Sequence, residues 1–291
     1  MPELPEVEVT RRRISKLLVG RVISSVETTK PSYFFLTSPR TLRERLKGRK
    51  VTALDRLGKY LLARLDNGTT LLLHLGMTGQ LFGEGASSLR LLRAPDRKSR
   101  GSQPARDFSA DEHTHLRIRF EDQGPGVYFR DVRKFGKVLL LAQGKVDARL
   151  EKLGVDALEA SGTHLFEAAR ARRIAIKSLL LDQSVIAGIG NIYADEALFL
   201  ARVSPRRSAK RVSREACADI VRSVGFVMRR SIETGGSSIS DYVTPDGSDG
   251  GYQHERRVYG REGEPCPVCS LAIRRVVIGQ RSTHFCPNCQ V

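Results

Sequence analysis

The chain opens Met1-Pro2-Glu3-Leu4-Pro5-Glu6. Aminopeptidases remove an initiator Met that precedes a small residue such as Pro, which leaves Pro2 as a free secondary amine. Such an amine attacks an aldehyde carbon and forms an iminium ion. α-Amino groups titrate near roughly pH 8, so part of the population is unprotonated at neutral pH. Glu3 lies beside it and can carry protons. With Met1 retained, Pro2 would be an amide nitrogen and this chemistry would be closed. A second reactive group lies at the other end, where Cys266, Cys269, Cys286 and Cys289 follow a C-x2-C-x16-C-x2-C pattern. Four thiolates so spaced close a tetrahedral zinc site and leave no open coordination position, so the metal is structural. Zinc supplies the folding energy that so short a segment cannot draw from a core. Cys217 stands alone in an apolar helical pattern and reads as a buried structural residue.

These groups need supports. Leu4, Val7, Ile14 and Leu18 recur at helical spacing and Gly20 follows as a stop, which predicts a first helix that holds Pro2 on a rigid element. Strand-like runs follow at Val51–Asp55, Tyr60–Leu65, Thr70–Leu75, His115–Phe120 and Val138–Leu141, separated by turn residues. Residues 1–142 therefore read as a β-rich domain, a sandwich or barrel of mainly antiparallel strands. Within it, 84–112 is rich in Ser, Gly, Pro and Arg and reads as a flexible insertion.

From 146 the period turns helical. Val146–Leu153, His164–Arg170, Ile176–Asp182, Ile192–Ala201 and Arg214–Thr234 are the helix candidates of a domain over 146–256. Its last part, Gly235–Gly251, reads as a mobile loop. Residues 257–291 form a separate cysteine module. In the run Ile186–Tyr193, two glycines lead into Asn191, read as the N-cap of the next helix, whose start suits a phosphate. Between the cysteine pairs, Arg274, Arg275, Gln280, Arg281 and His284 form a donor-rich hairpin suited to a nucleic-acid groove.

Charge supports that direction. There are 49 Lys and Arg against 32 Asp and Glu, a net charge of +17. Such an excess points to a polyanion, and nucleic acid is the one expected. No apolar run is long enough for a transmembrane helix, and the acidic start lacks the apolar segment of a secretory signal. A cytoplasmic, nucleoid-associated monomer is expected.

Taken in order, Pro2-Glu3-Leu4-Pro5-Glu6, Gly58-Lys59-Tyr60-Leu61, His74-Leu75-Gly76-Met77-Thr78-Gly79, Arg133-Lys134-Phe135-Gly136, Gly190-Asn191-Ile192-Tyr193 and the four-cysteine ribbon resemble the bacterial formamidopyrimidine-DNA glycosylases. The resemblance covers almost the whole chain, with Gly83–Glu112 as the main unmatched segment. It implies an α+β fold: an N-terminal β-sandwich with a flanking helix, a helical domain with a helix–two-turn–helix motif, and a zinc ribbon. It implies damaged double-stranded DNA as partner, bound in a cleft between the domains, and excision of oxidised purines through a Schiff base on Pro2, with β- and δ-elimination.

By the same resemblance, Glu3 shuttles protons, Lys59 acts near the lesion by proton transfer or phosphate contact, and Arg281 binds phosphate and donates a proton in the second elimination. Met77, Arg133 and Phe135 fill the gap left by the flipped nucleotide. Asn191, His113 and Arg173 contact DNA, with His115 a rival to His113 and Arg173 standing where Lys is expected. Glu6 supports the pocket as a further carboxylate. The loop Gly235–Gly251 matches the segment that covers the flipped base, and Ser240 and Asp241 offer no clear base contact. The nearest alternatives are a sister enzyme for oxidised pyrimidines, whose start is typically Pro-Glu-Gly-Pro, and a non-catalytic zinc-ribbon protein that binds DNA or RNA. The non-catalytic readings leave Pro2, Glu3 and Lys59 without a reason.

Overall fold

Helix α1 (Leu4–Leu18) begins with Pro5 in its first turn, where a missing N–H costs no helical bond. Leu4, Val7, Ile14 and Leu18 are at most 2% exposed. At about 1.5–3 kcal/mol per buried side chain, this stripe rather than intrinsic propensity holds the helix. The computed structural model describes residues 2–87, 110–238 and 242–291. Most of the insertion expected over 84–112 lies outside these residues, as do Ser240 and Asp241.

The described chain divides into two units, 1–147 with 234–251, and 148–233 with 252–291. In the first unit, β1 (Ile23–Thr28) is followed by α2 (Pro39–Leu46), then β2 (Val51–Leu57), β3 (Tyr60–Leu65), β4 (Thr70–His74) and β5 (Gly79–Gly83). Strands β6 (Thr114–Phe120), β7 (Val127–Asp131) and β8 (Lys137–Leu141) complete it. One antiparallel sheet has the order β1-β6-β7-β5 and the other β2-β3-β4-β8. Both sheets and α1 feed one core, which includes Ile14, Val26, Leu61, Leu73, Leu116 and Phe129. This is a β-sandwich with a flanking helix.

The five strands expected from the sequence are present, Tyr60–Leu65 with both ends as expected and the other four with one end shifted by one or two residues. Strands β1, β5 and β7 and helix α2 go beyond that expectation. Strand β7 is buried at all five positions, so it shows no alternation, and its Arg130 is buried against Asp111 at 2.7 Å. Residues Gly235–Gly251, expected as a mobile part of the helical domain, belong to the first unit. Their described residues are docked: Val243 packs with Phe82 and Tyr128, and the Thr244 side chain is fully buried. Apolar anchoring of Tyr242 and Val243 overrides the Gly/Ser composition.

The second unit has α3 (Ala148–Glu151), β9 (Val155–Asp156), α4 (Gly162–Arg170), α5 (Ile176–Leu180), β10 (Ile186–Ala187), α6 (Asn191–Leu200) and α7 (Arg214–Glu233). It ends in the antiparallel hairpin of β11 (Arg274–Ile278) and β12 (Arg281–Phe285). Helix α3 is shorter than the expected 146–153 and buries no residue, so nothing extends it. Gly162 lets α4 approach α7, since a Cβ there would lie 2.6 Å from the Ala218 Cα. The ribbon joins α6 through a shared cluster of Phe199, Val258, Ile273, Cys266 and Cys286. Glu196 of α6 accepts the N–H groups of Arg257, Val258 and Tyr259 at 2.8–2.9 Å. Among the described residues, no helix is long and apolar enough to cross a membrane.

Candidate active site

Pro2 is buried at the mouth of α1, and Glu3 is the N-cap residue. Glu3 and Glu6 form a reciprocal capping box, in which Glu6 Oε2 accepts the Glu3 N–H at 2.9 Å. Glu6 Oε1 accepts the Ser237 N–H at 2.9 Å, and the Tyr242 hydroxyl donates to the Glu6 carbonyl at 3.3 Å. The Glu3 and Glu6 side chains are 3% and 1% exposed. Two buried carboxylates are tolerable here because N–H groups and the positive end of the helix dipole face them. The result is Pro2 and a carboxylate fixed on one rigid helix start, with the docked loop over Ser237 and Tyr242 tied to the same turn.

Lys59 sits in the Gly58-Lys59 turn between β2 and β3 and is only 9% exposed, unlike a solvated strand lysine. The turn is linked to α1 through charges. Glu8 of α1 bonds Arg56 at 3.1 Å, and Arg56 donates to the Gly58 carbonyl at 3.1 Å. Burial alone would raise the Glu8 carboxyl. Hydrogen bonds from Arg11 and Arg12 and the charges of Arg11 and Arg56 outweigh it and hold the group down to about 2. A chain of contacts thus runs from the helix carrying Pro2 to the turn carrying Lys59.

Met77, Arg133 and Phe135 lie on the loops after β4 and β7. Met77 and Phe135 are 37% and 41% exposed, where core packing would have buried them. The Arg133 guanidinium stacks 4.6 Å over the Phe135 ring. Gly76, at φ +63°, brings the first loop against the second, for a Cβ there would meet the Phe135 carbonyl carbon at 2.5 Å.

The two candidate histidines separate clearly. His115 is 1% exposed, and its Nδ1 and Nε2 lie 3.1 Å from Thr29 Oγ1 and 2.9 Å from the Asp131 carbonyl. A carbonyl only accepts, so Nε2 carries the proton and Nδ1 accepts from Thr29. Burial lowers the pKa of His115 and keeps it neutral. His115 is therefore a structural residue, while the His113 side chain remains partly exposed beside Glu112.

In the second unit, α5 and α6 with their connection form the helix–two-turn–helix. Gln183 holds the connection, donating to the Leu181 and Ile189 carbonyls at 2.9 and 2.8 Å and accepting the Gly188 N–H at 3.0 Å. The N-cap is Gly190 rather than Asn191. Asn191 is the first helical residue because its Nδ2 donates across to the Ser282 carbonyl, at 2.9 Å, instead of its own helix being capped by its side chain. Its Oδ1 is buried and meets no donor among the described residues.

Lys177 and Asp195 meet at 2.6 Å. Lys177 Nζ also donates to the Ser282 carbonyl and to Thr283 Oγ1, both at 2.9 Å, and Asp195 accepts the His284 N–H at 2.8 Å. These bonds set β12 on α5 and α6, with exposed Arg281 at its start. Arg173, also exposed, precedes α5, and its carbonyl accepts from the Ser208 hydroxyl at 3.2 Å.

The sulfurs of Cys266, Cys269, Cys286 and Cys289 all lie within 4.8 Å of one another. Zn–S bonds of about 2.3 Å in a tetrahedron require S···S separations of about 3.8 Å. The Cys266–Cys289 and Cys269–Cys286 distances are 3.9 and 3.5 Å. The Val268 and Cys289 N–H groups point at Cys266 and Cys286 sulfur at 3.4 Å, as in a metal knuckle. The donor set and its spacing fit one structural zinc ion. Cys217 is fully buried in α7, and burial pushes its thiol up to about 11, so it is inert.

Three family descriptions match in order: the formamidopyrimidine-DNA glycosylase N-terminal domain over residues 1–138, the H2TH domain of the same proteins over 153–243, and the zinc finger found in FPG and IleRS over 263–291. A formamidopyrimidine-DNA glycosylase of Neisseria meningitidis serogroup A is 41% identical, with all of both chains covered. The chain belongs to the formamidopyrimidine-DNA glycosylase family. Among solved structures, MutM (Fpg) from Thermus thermophilus superposes with a TM-score of 0.82 at 37% identity, covering 99% of this chain and 98% of that one. A Lactococcus lactis FPG variant, solved with DNA containing Fapy-dG, gives 0.84 at 33% identity and 99% coverage of both chains.

For this glycosylase chain, sequence reasoning missed the residues that hold the candidates in place. Glu8 and Arg56 read as ordinary helix and strand charges, and Gln183 as a loop residue. Lys177 and Asp195 stand apart in sequence, and only the apolar neighbours Ile176, Leu179, Ala194 and Leu198 signalled that both would be buried.

Proposed function

We propose that the chain is a bifunctional DNA glycosylase and AP lyase that removes oxidised purines, 8-oxoguanine and formamidopyrimidines, from duplex DNA in base excision repair. With Met1 removed, the Pro2 nitrogen attacks C1′ of a nucleotide flipped out of the stack. The N–C1′ bond forms as the glycosidic bond breaks and the base departs. Opening of the sugar ring gives the iminium, and Glu3 shuttles protons in that step and in the eliminations. The iminium acidifies the sugar, and β- then δ-elimination cut the strand on both sides of the site. Arg281 donates a proton in the second elimination.

The observation that carries this reading is the pairing of a buried Pro2 with a buried Glu3 at one helix start, held by Glu6 and Ser237. Lys59, tied to the same helix through Arg56 and Glu8, supplies a cation near that amine's rigid support. Met77, Arg133 and Phe135 stand exposed and replace the flipped base in the stack. Asn191, Arg281, Arg173 and His113 bind the DNA backbone. The Fapy-dG in the L. lactis complex favours a purine lesion.

The test is borohydride trapping on a duplex with 8-oxoguanine opposite C. The wild type is expected to give a covalent adduct and Pro2→Gly to lose it. No adduct with the wild type, or undiminished trapping by Pro2→Gly, overturns the reading. Preferential trapping on an oxidised pyrimidine transfers it to the sister activity.

A further inference from the structure

We infer that Asp131 is the positioning residue that sets Met77, Arg133 and Phe135 as a single wedge, an inference that rests on the proposed glycosylase reading. The Asp131 side chain is fully buried at the end of β7. Its Oδ1 accepts from the Thr78 hydroxyl and from the Arg133 N–H, the latter at 3.2 Å. Its Oδ2 accepts the Gly136 N–H at 2.6 Å. Each donor is a wedge residue or its immediate neighbour: Thr78 follows Met77, and Gly136 follows Phe135. One carboxylate therefore reaches all three wedge positions.

The main chain of Asp131 adds to this. Its N–H donates to the His113 carbonyl at 2.9 Å, and its carbonyl accepts from His115 Nε2 at 2.9 Å and from the Lys134 N–H at 3.3 Å. Lys134, between two wedge residues, has φ +57°, a left-handed conformation that a non-glycine residue keeps only where its surroundings over-determine it. Asp131 provides that constraint on one side, and the Gly76 contact with Phe135 provides it on the other.

A carboxylate suits the task because it only accepts, with room for several donors on two oxygens. An amide of the same shape would turn an NH2 toward Thr78 and Arg133 or toward Gly136, and donor would face donor. The wedge is needed only where a base has left a stacked duplex. A single-stranded abasic site presents the same aldehyde to Pro2 without a gap to fill.

The experiment compares wild type, Asp131→Asn and Thr78→Val by borohydride trapping on single-stranded abasic DNA and by excision kinetics on an 8-oxoguanine duplex. A fluorescent base analogue opposite the lesion reports wedge insertion. For Asp131→Asn, the expected result is a fall of about 10–100-fold in duplex excision, with slowed insertion and single-strand trapping within about threefold of wild type. Thr78→Val, which keeps the shape and removes one donor, is expected to show the same selectivity at about 3–10-fold. Unchanged duplex excision in both variants overturns the inference. So does an equal loss on both substrates, which would make Asp131 a residue of the fold alone. Should Asp131→Asn not fold, Thr78→Val decides by the same two readouts. Absence of trapping by the wild type would strike the glycosylase reading instead.

Discussion

Lys177 and Asp195 form an ion pair 2.6 Å apart with both side chains fully buried, and the pair fastens the zinc hairpin to the helix–two-turn–helix. The Lys177 ammonium donates to the Ser282 carbonyl and Thr283 and pairs with the Asp195 carboxylate. Removing one partner leaves a buried charge uncompensated. Lys177→Met is therefore expected to cost about 3–5 kcal/mol in urea unfolding, and pairing it with Asp195→Leu to recover part of that loss. A single variant as stable as wild type would contradict this role.

Glu8 predicts an acid-sensitive link between α1 and the Lys59 turn. Its carboxyl is held down to about 2 in the folded chain against an ordinary 4.5. A depressed pKa contributes stability that is complete above pH 4.5 and lost as pH falls toward 2. Because its partners Arg11 and Arg12 are themselves partly exposed, solvent screening reduces the contribution to the order of 1–2 kcal/mol. Glu8→Gln should therefore lower the melting temperature at pH 7 and bring the two curves together near pH 2. An unchanged gap across that range would remove Glu8 as the source.

The wedge residues predict a split between stability and activity. Phe135 is 41% exposed, so Phe135→Ala should change unfolding free energy by no more than about 0.5–1 kcal/mol. Excision from duplex DNA should fall about tenfold or more, because the gap beside the orphaned base then stays open. A large loss of stability in thermal melting would return Phe135 to the core reading.

Metal removal provides a separate handle on the second unit. A strong chelator should release one zinc per chain by elemental analysis, and far-UV circular dichroism should show loss of the β11–β12 hairpin. Duplex binding, steep in salt for the native protein, should weaken, since Arg281 loses its support. Cys286→Ser should behave as the stripped protein does. Retention of zinc and hairpin by that variant would contradict a four-thiolate site.

Much of this was legible because it is local. The cysteine spacing names a metal site, the apolar stripe of Leu4, Val7, Ile14 and Leu18 names α1, and alternating or fully apolar runs name five strands. Strand β7 escaped because burial on both faces erases the period and because Arg130 and Asp131 look solvated until their partners are known. The placement of Tyr242 and Val243 on the sandwich was invisible for a related reason: two apolar anchors outweigh a long Gly/Ser context. Asn191 reads as an N-cap in the sequence because its real partner, the Ser282 carbonyl, lies far along the chain. The pattern is consistent. Pro2, Glu3 and the four cysteines stand out by type and spacing, and Lys59, Met77, Arg133 and Phe135 only through the family resemblance, while the roles of Asp131, Glu8 and Lys177 depend on long-range pairing.

The central claim is that the reactive amine is the nitrogen of Pro2. Its most direct test is peptide mapping by mass spectrometry of the borohydride-reduced adduct with an 8-oxoguanine duplex. The account predicts an N-terminal peptide that begins at Pro2, lacks Met1 and carries the sugar remnant on the proline nitrogen. An adduct on Lys59 or another lysine, or a reactive chain that still carries Met1, would contradict it.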